Sequence, residues 1–364
     1  MKRIAFFIPN LKDGGAERVV VNLLKGMSDR GVPLDLVLAQ AEGSFLSQVP
    51  GNVRIIDLEA SRVAKAILPL SRYLQQQKPW ALVSHLNYAN VATVLAKQIA
   101  RTKTRLVLVE HNTVSAHKTK VRRFKWVNRL MKLVYPHAEF VVAVSEATSR
   151  DLEKYLHFEA GKVRTIYNPV VNRELLIKAT APLNHPWFDR DTPPVFLAAG
   201  RLIELKDFST LIKAFARLRQ EKQARLLILG EGELRTELEN LAKDLGVAED
   251  VSLPGFVDNP YAYMGRAVAF VLSSRSEGLP NVLIEAMACG CPVISTDCLS
   301  GPREILAAGT YGILVPVGDE IALSEAMRRT LEEPPVSENF LMQRAIDLGS
   351  FEKATDQYLE LIDY

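Results

Sequence analysis

The sequence reads as two doubly wound α/β domains in tandem, on three grounds. Short apolar runs alternate with segments of helical period along most of the chain. A proline-rich stretch interrupts that alternation near the middle. A length of 364 residues suits two domains of ordinary size, and an apolar content of 48% can fill their cores. Strands are expected near 3–9, 34–39, 53–57, 80–85, 105–110, 139–144 and 163–167, with helical segments between them. Tyr167-Asn168-Pro169 closes this first domain, residues 1–170. Residues 171–194 include Pro182, Pro186, Pro193 and Pro194 and are expected to be a linker. The second domain, 195–336, has strands expected near 195–199, 225–229, 251–253, 268–272, 292–295 and 313–315. The final segment, 337–364, is expected to be helical. No internal repeat is visible.

The stretch 274–296 carries the most chemistry. Glu277 and Glu285 stand eight residues apart, separated by the turn Gly278-Leu279-Pro280 and a helix start at Asn281-Val282. The helix runs on to Gly290, a favoured C-terminal signal. Backbone amides at a helix start favour an anion, and the helix dipole adds to that. A phosphate bound there has a carboxylate on either side. Carboxylates do not ligate phosphate; they suit hydroxyls. The implied ligand therefore carries sugars on both sides of its phosphates, as a nucleotide sugar does. A basic pair, Arg201 and Lys206, follows the apolar strand 195–199 in Gly-Arg-Leu-Ile-Glu-Leu-Lys-Asp-Phe. Open α/β sheets bind ligands at that place, beyond the carboxyl ends of strands.

With its Gly-Leu-Pro-Asn turn, apolar helix and the following Cys291-Pro292-Val293-Ile294, this segment resembles the donor-binding element of the family-4 retaining glycosyltransferases. The resemblance covers almost the whole chain. It implies the GT-B fold, two Rossmann-like domains facing a central cleft, with the last helix crossing back to the first domain. Arg201 and Lys206 match the family's diphosphate-binding pair. Gly255-Phe256-Val257 looks like the loop that meets the nucleobase, and Ser300-Gly301-Pro302-Arg303-Glu304 also fits. In the first half, Gly14 and Gly15 follow the strand at 4–9, where glycine lets the backbone approach a ligand closely. The three-glycine spacing of a dinucleotide fingerprint is missing. His111 opens the loop after the strand 105–110 and matches a family histidine near the donor sugar.

Other features exclude classes. Cys289, Cys291 and Cys298 are odd in number, sit on apolar positions and lack histidine partners. They are expected to be buried reduced thiols rather than a zinc site. Asp189-Arg190-Asp191 has the pattern of metal-dependent transferases but lies in the proline-rich stretch, so no metal is expected. The apolar run at 4–9 is too short for a signal peptide core, and no run of about 18 apolar residues exists to span a membrane.

The net charge of +3 hides an asymmetry. Residues 1–170 hold 26 Lys plus Arg against 13 Asp plus Glu; residues 171–364 hold 19 against 29. Such a split points to an acidic partner for the first half. The excess is concentrated in 117–132, with seven basic residues and no acid. Val121, Phe124, Val127, Met131 and Val134 recur there at helical spacing, with Trp126 at the boundary. The pattern predicts a helix lying in a bilayer interface, with Phe124, Trp126, Val127 and Met131 inserted and Arg122, Arg123, Lys125 and Arg129 on anionic headgroups. The alternatives are a solvated basic helix packed on the core and a nucleic-acid surface. No nucleic-acid motif accompanies the charge.

Together these imply a metal-independent, retaining glycosyltransferase. The expected donor is a UDP-sugar carrying a hexose or N-acetylhexosamine. The expected acceptor is a lipid-linked glycan, built on a polyprenyl diphosphate, at an anionic membrane surface. The protein is expected to be cytoplasmic and bound to the inner face of the cytoplasmic membrane. Two other classes use the same residues: a nucleotide-sugar epimerase or hydrolase, and a non-catalytic subunit that binds nucleotide sugar or membrane.

Overall fold

The computed structural model describes the chain except at residues 1, 13, 116–121 and 334–335, and describes residues 122–125 by backbone alone. The described residues form two compact units, 1–170 with 351–364 and 171–350.

The first unit is built on a seven-stranded parallel sheet. Its strands are β1 Ile4–Ile8, β2 Leu34–Leu38, β3 Arg54–Asp57, β4 Ala81–His85, β5 Arg105–Glu110, β6 Phe140–Ala143 and β7 Val163–Thr165. Their order is β3-β2-β1-β4-β5-β6-β7, with Ile4 opposite Leu34 on one side and Ala81 on the other. β1, β2 and β4 are buried throughout, which is why they read as unbroken apolar runs rather than alternating ones. Chain order reverses between β1 and β4, so their carboxyl ends open the crevice where such sheets take ligands.

Helix Phe351–Leu361 belongs to this unit and packs on helix Gly15–Ser28. The contact needs a glycine: a Cβ on Gly26 would stand 2.4 Å from Thr355 Oγ1. The chain end is then tied to the sheet, with Trp80 Nε1 and Arg105 Nη1 both donating to the Ile362 carbonyl, at 2.9 and 2.6 Å.

The second unit carries a six-stranded parallel sheet of β8 Val195–Ala199, β9 Arg225–Leu229, β10 Val251–Gly255, β11 Ala269–Leu272, β12 Val293–Thr296 and β13 Ile313–Val315. The order is β10-β9-β8-β11-β12-β13, with the reversal between β8 and β11. Phe196, Leu211, Phe215, Leu226, Ile228 and Met327 lie in its core.

Every strand expected from the sequence forms. The stretch 171–194 differs from a bare linker. Helix Arg173–Ala179 forms in it, capped by Asn172, whose side chain accepts from Leu175 N. It packs on helix Pro260–Met264, and Asn259 donates to the Lys178 carbonyl at 2.9 Å. His185, Phe188 and Tyr263 close the seam with edge-to-face ring contacts. The segment 337–364 also divides: helix Glu338–Gly349 packs on Asn281–Ala288 in the second unit, and Phe351–Leu361 lies in the first. No helix among the described residues is long and apolar enough to cross a membrane.

Candidate functional site

In the second unit, Arg201, Lys206 and Glu277 come from the loops after β8 and β11, the two strands at the reversal. Gly200 ends β8 and donates to the Leu229 carbonyl. Arg201 is exposed. The turn Glu204–Lys206 then carries Lys206 back, and its Nζ lies 2.6 Å from Glu277 Oε1. Both side chains are largely enclosed, 18% and 12% exposed. The two loops are stitched together beneath this pair. Ser273 Oγ donates to the Lys206 carbonyl at 2.8 Å, and Arg275 N to the Leu205 carbonyl at 2.9 Å. Buried Asp207 accepts from the Arg275 guanidinium at 3.0 and 3.3 Å. Ser300 Oγ bonds the Glu277 carbonyl.

Gly278, Leu279 and Pro280 are buried, and helix Asn281–Ala288 starts directly after them with no side-chain cap. Pro280 packs where Gly301 has no side chain; a Cβ there would meet Pro280 Cδ at 2.4 Å, and Gly301 has φ 90°. Leu283, Ile284, Ala286 and Met287 bury the inner face, which turns Asn281, Val282 and Glu285 to half-exposed positions. Tyr261 Oη stands 3.5 Å from Glu285 Oε1.

The loop after β10 is held from behind. Gly255 has φ 92°, and its carbonyl accepts from Gly230 N at 2.8 Å. Arg235 ties the loop after β9 to β10. Its Nη1 donates to the Leu253 carbonyl at 2.7 Å, and its guanidinium bonds both oxygens of Glu231 at 2.6 and 2.9 Å. Phe256 is left 71% exposed, and Val257 half-buried beside it. Neither Arg235 nor Tyr261 stands out in the sequence. Arg235 opens the helix Arg235–Asp244 and Glu231 lies in the loop before it, so their pairing is a tertiary contact without a helical signal.

In the first unit, Gly14 caps helix Gly15–Ser28, and Gly15 faces open space. His111 follows β5, and its Nε2 lies 2.9 Å from Nδ1 of His85, the last residue of β4. Burial pushes the His111 imidazole down to about 4. The neighbouring Glu110 carboxylate accepts from Asn90 Nδ2 at 2.9 Å and from the Tyr135 hydroxyl. Burial pushes Glu110 up to about 7.

The basic segment forms helix Arg122–Val134, but it is turned differently from the expectation. Met131 is fully buried and Val127 packs against the core, so neither can enter a bilayer. A second stripe faces out: Trp126 is 65% exposed, Leu133 68%, and Leu130 lies between them. Arg129 stacks over the Trp126 ring, and Lys132 over Tyr155. The side chains of Arg122, Arg123, Phe124 and Lys125 lie outside the described residues.

Asp189 and Asp191 are exposed beyond the turn Pro186–Phe188, ahead of the start of β8 rather than after the carboxyl end of a strand. No group of three or more His, Cys, Asp or Glu side chains among the described residues could hold a metal ion. Cys291 and Cys298 are buried, Cys289 is half-buried, and burial pushes all three thiols up.

Residues 184–344 match the model for glycosyl transferases group 1, and residues 13–172 that for glycosyltransferase family 4. The chain is 31% identical to the N-acetylgalactosamine-N,N'-diacetylbacillosaminyl-diphospho-undecaprenol 4-alpha-N-acetylgalactosaminyltransferase of Campylobacter jejuni, over 97% of this chain and 96% of that one. It is 29% identical to the lipopolysaccharide core biosynthesis glycosyltransferase LpsE of Rhizobium meliloti, over 96% of each. Among solved structures, Anabaena HepE in complex with UDP and glucose superimposes with a TM-score of 0.82 over all of both chains, at 21% identity.

Proposed function

The chain belongs to the family-4 glycosyltransferases, with the GT-B fold, and from that premise we propose that it moves a hexose or N-acetylhexosamine from a UDP-sugar to a polyprenyl-diphosphate-linked glycan. The anomeric configuration is retained and no metal ion takes part. The observation that carries this is the Lys206–Glu277 pair at the β8/β11 reversal, with Arg201 on the same loop as Lys206 and helix Asn281–Ala288 following Glu277 in the chain. The named acceptors of the Campylobacter relative support the lipid-linked substrate.

The leaving group sets the demands. As the sugar's bond to the diphosphate breaks, its electron pair stays on the phosphate oxygen. Arg201, Lys206 and the backbone at 278–282 meet that charge. Glu285 holds the ribose hydroxyls, and Glu277 a hydroxyl of the sugar. Gly255, Phe256 and Val257 receive the nucleobase, at the end of the strand that Arg235 fixes. The acceptor hydroxyl attacks from the face the diphosphate leaves, and its proton passes to the departing phosphate, so no protein nucleophile is assigned. His111 serves the sugar being transferred; Gly14 and Gly15 give the ligand room. The test is a panel of UDP- and GDP-sugars with lipid-linked acceptor, with and without EDTA, the product's anomeric proton read by NMR. An inverted linkage, or activity lost in EDTA and restored by magnesium, would overturn the mechanism.

The membrane partner is proposed on the outward face of helix Arg122–Val134. Trp126, Leu130 and Leu133 enter the headgroup boundary of the inner leaflet, and Arg129 meets anionic lipid. Each basic residue near the surface contributes about 1 kcal/mol. Changing Trp126, Leu130 and Leu133 together to Ser is expected to release the protein from anionic liposomes in flotation, while activity on a short water-soluble acceptor persists. A triple variant that still floats would refute this face.

A further inference from the structure

We infer that His85 is a positioning residue: it fixes His111 as the neutral tautomer with its proton on Nδ1. This deepens the proposed role of His111 and rests on it for its catalytic meaning, not for the tautomer itself.

His85 is fully buried at the end of β4, its ring stacked on Phe6 with centroids 6.1 Å apart. Its Nδ1 lies 2.9 Å from His111 Nε2, and its Nε2 is buried with no hydrogen-bond partner among the described residues. Two neutral imidazoles sharing one contact leave two arrangements. In the first, His85 Nδ1–H donates, His111 accepts on Nε2, and the unpartnered His85 Nε2 is a bare lone pair. In the second, His111 Nε2–H donates, and the His85 proton must sit on Nε2 as a buried N–H without an acceptor. Buried orphan N–H groups are the rarer and costlier kind. The first arrangement therefore holds. Burial pushes both rings down, so a protonated pair does not compete at neutral pH.

The backbone keeps the two rings in register. Leu86, next to His85, has φ 79° and ψ 133°, a conformation that non-glycine residues hold only where the surroundings impose it. Here Leu86 N donates to the Val109 carbonyl at 3.3 Å, and Asn90 Nδ2 donates to the same carbonyl at 3.0 Å. The ends of β4 and β5 are thereby locked together. With Nε2 occupied, His111 offers only Nδ1–H, a donor. It can bond a sugar oxygen but cannot take the acceptor's proton, which agrees with a reaction that uses no protein base.

Asn and Asp have the same shape, but Asn can donate a hydrogen bond and an ionised Asp can only accept one, which makes them the test. The full-length protein, labelled with ¹⁵N-histidine, is examined by two-bond ¹H–¹⁵N correlation at pH 7.5, with His111→Asn to assign the signal. The wild type should show His111 protonated on Nδ1. His85→Asn, whose amide can donate in place of Nδ1–H, should keep that tautomer. His85→Asp, an acceptor, should move the proton to Nε2. Turnover should fall about tenfold further in the Asp variant than in the Asn variant, the value of one hydrogen bond. A wild-type His111 protonated on Nε2, or a tautomer unmoved by His85→Asp, would overturn the inference. A tautomer that switches with no difference in turnover would leave His85 as the positioning residue and remove His111 from the reaction.

Discussion

Arg201→Ala and Lys206→Ala are each expected to lower turnover by roughly two to three orders of magnitude, about 3–4 kcal/mol of transition-state stabilisation. The diphosphate gains charge as it leaves, and no other cations of the second unit are assigned to it. The two variants should differ in stability. Arg201 is exposed, so its loss should leave the unfolding midpoint unchanged. Lys206 is enclosed and pairs with Glu277 at 2.6 Å. Its removal leaves a carboxylate that is 12% exposed without its counterion, at a cost of about 1–3 kcal/mol. Steady-state kinetics and urea denaturation of both variants check this. Turnover like that of the wild type in both would remove them from the site.

Replacing the two glutamates should separate binding from chemistry. Glu285→Gln should weaken UDP binding and turnover together, because a group that holds the ribose acts in ground and transition states alike. Glu277→Gln should depress turnover while leaving the affinity for free UDP intact or higher. The ion pair explains the second half of that expectation: neutralising Glu277 releases the Lys206 ammonium to meet phosphate undivided. Calorimetry with UDP reads the difference. An equal loss of UDP affinity in both variants would contradict the division of roles.

The strands were legible because burial on both faces writes them as apolar runs, and their order placed Arg201, Lys206 and Glu277 after β8 and β11. What was not legible depends on tertiary contact. The helical period of 121–134 contains two apolar stripes, Val127-Met131-Val134 and Trp126-Leu130-Leu133. Periodicity finds both and cannot say which one the core takes. The core takes Val127 and Met131, two of the residues expected in the membrane, and leaves Trp126, also expected there, exposed. Prolines made 171–194 look like a linker and masked the Asn172 cap and its helix. The Lys206–Glu277 pair joins residues 71 positions apart, and the His85–His111 contact joins two strand ends. Neither has a local signal.

Transfer to a lipid-linked acceptor is read out by UDP release measured with and without that acceptor. The purified protein is given a UDP-sugar and a polyprenyl-diphosphate-linked glycan, and UDP is measured against the acceptor's gain in mass. UDP is expected to appear only when acceptor is present, one molecule for each sugar residue added. UDP released at the same rate without acceptor, or a donor sugar epimerised with no UDP released, would contradict it.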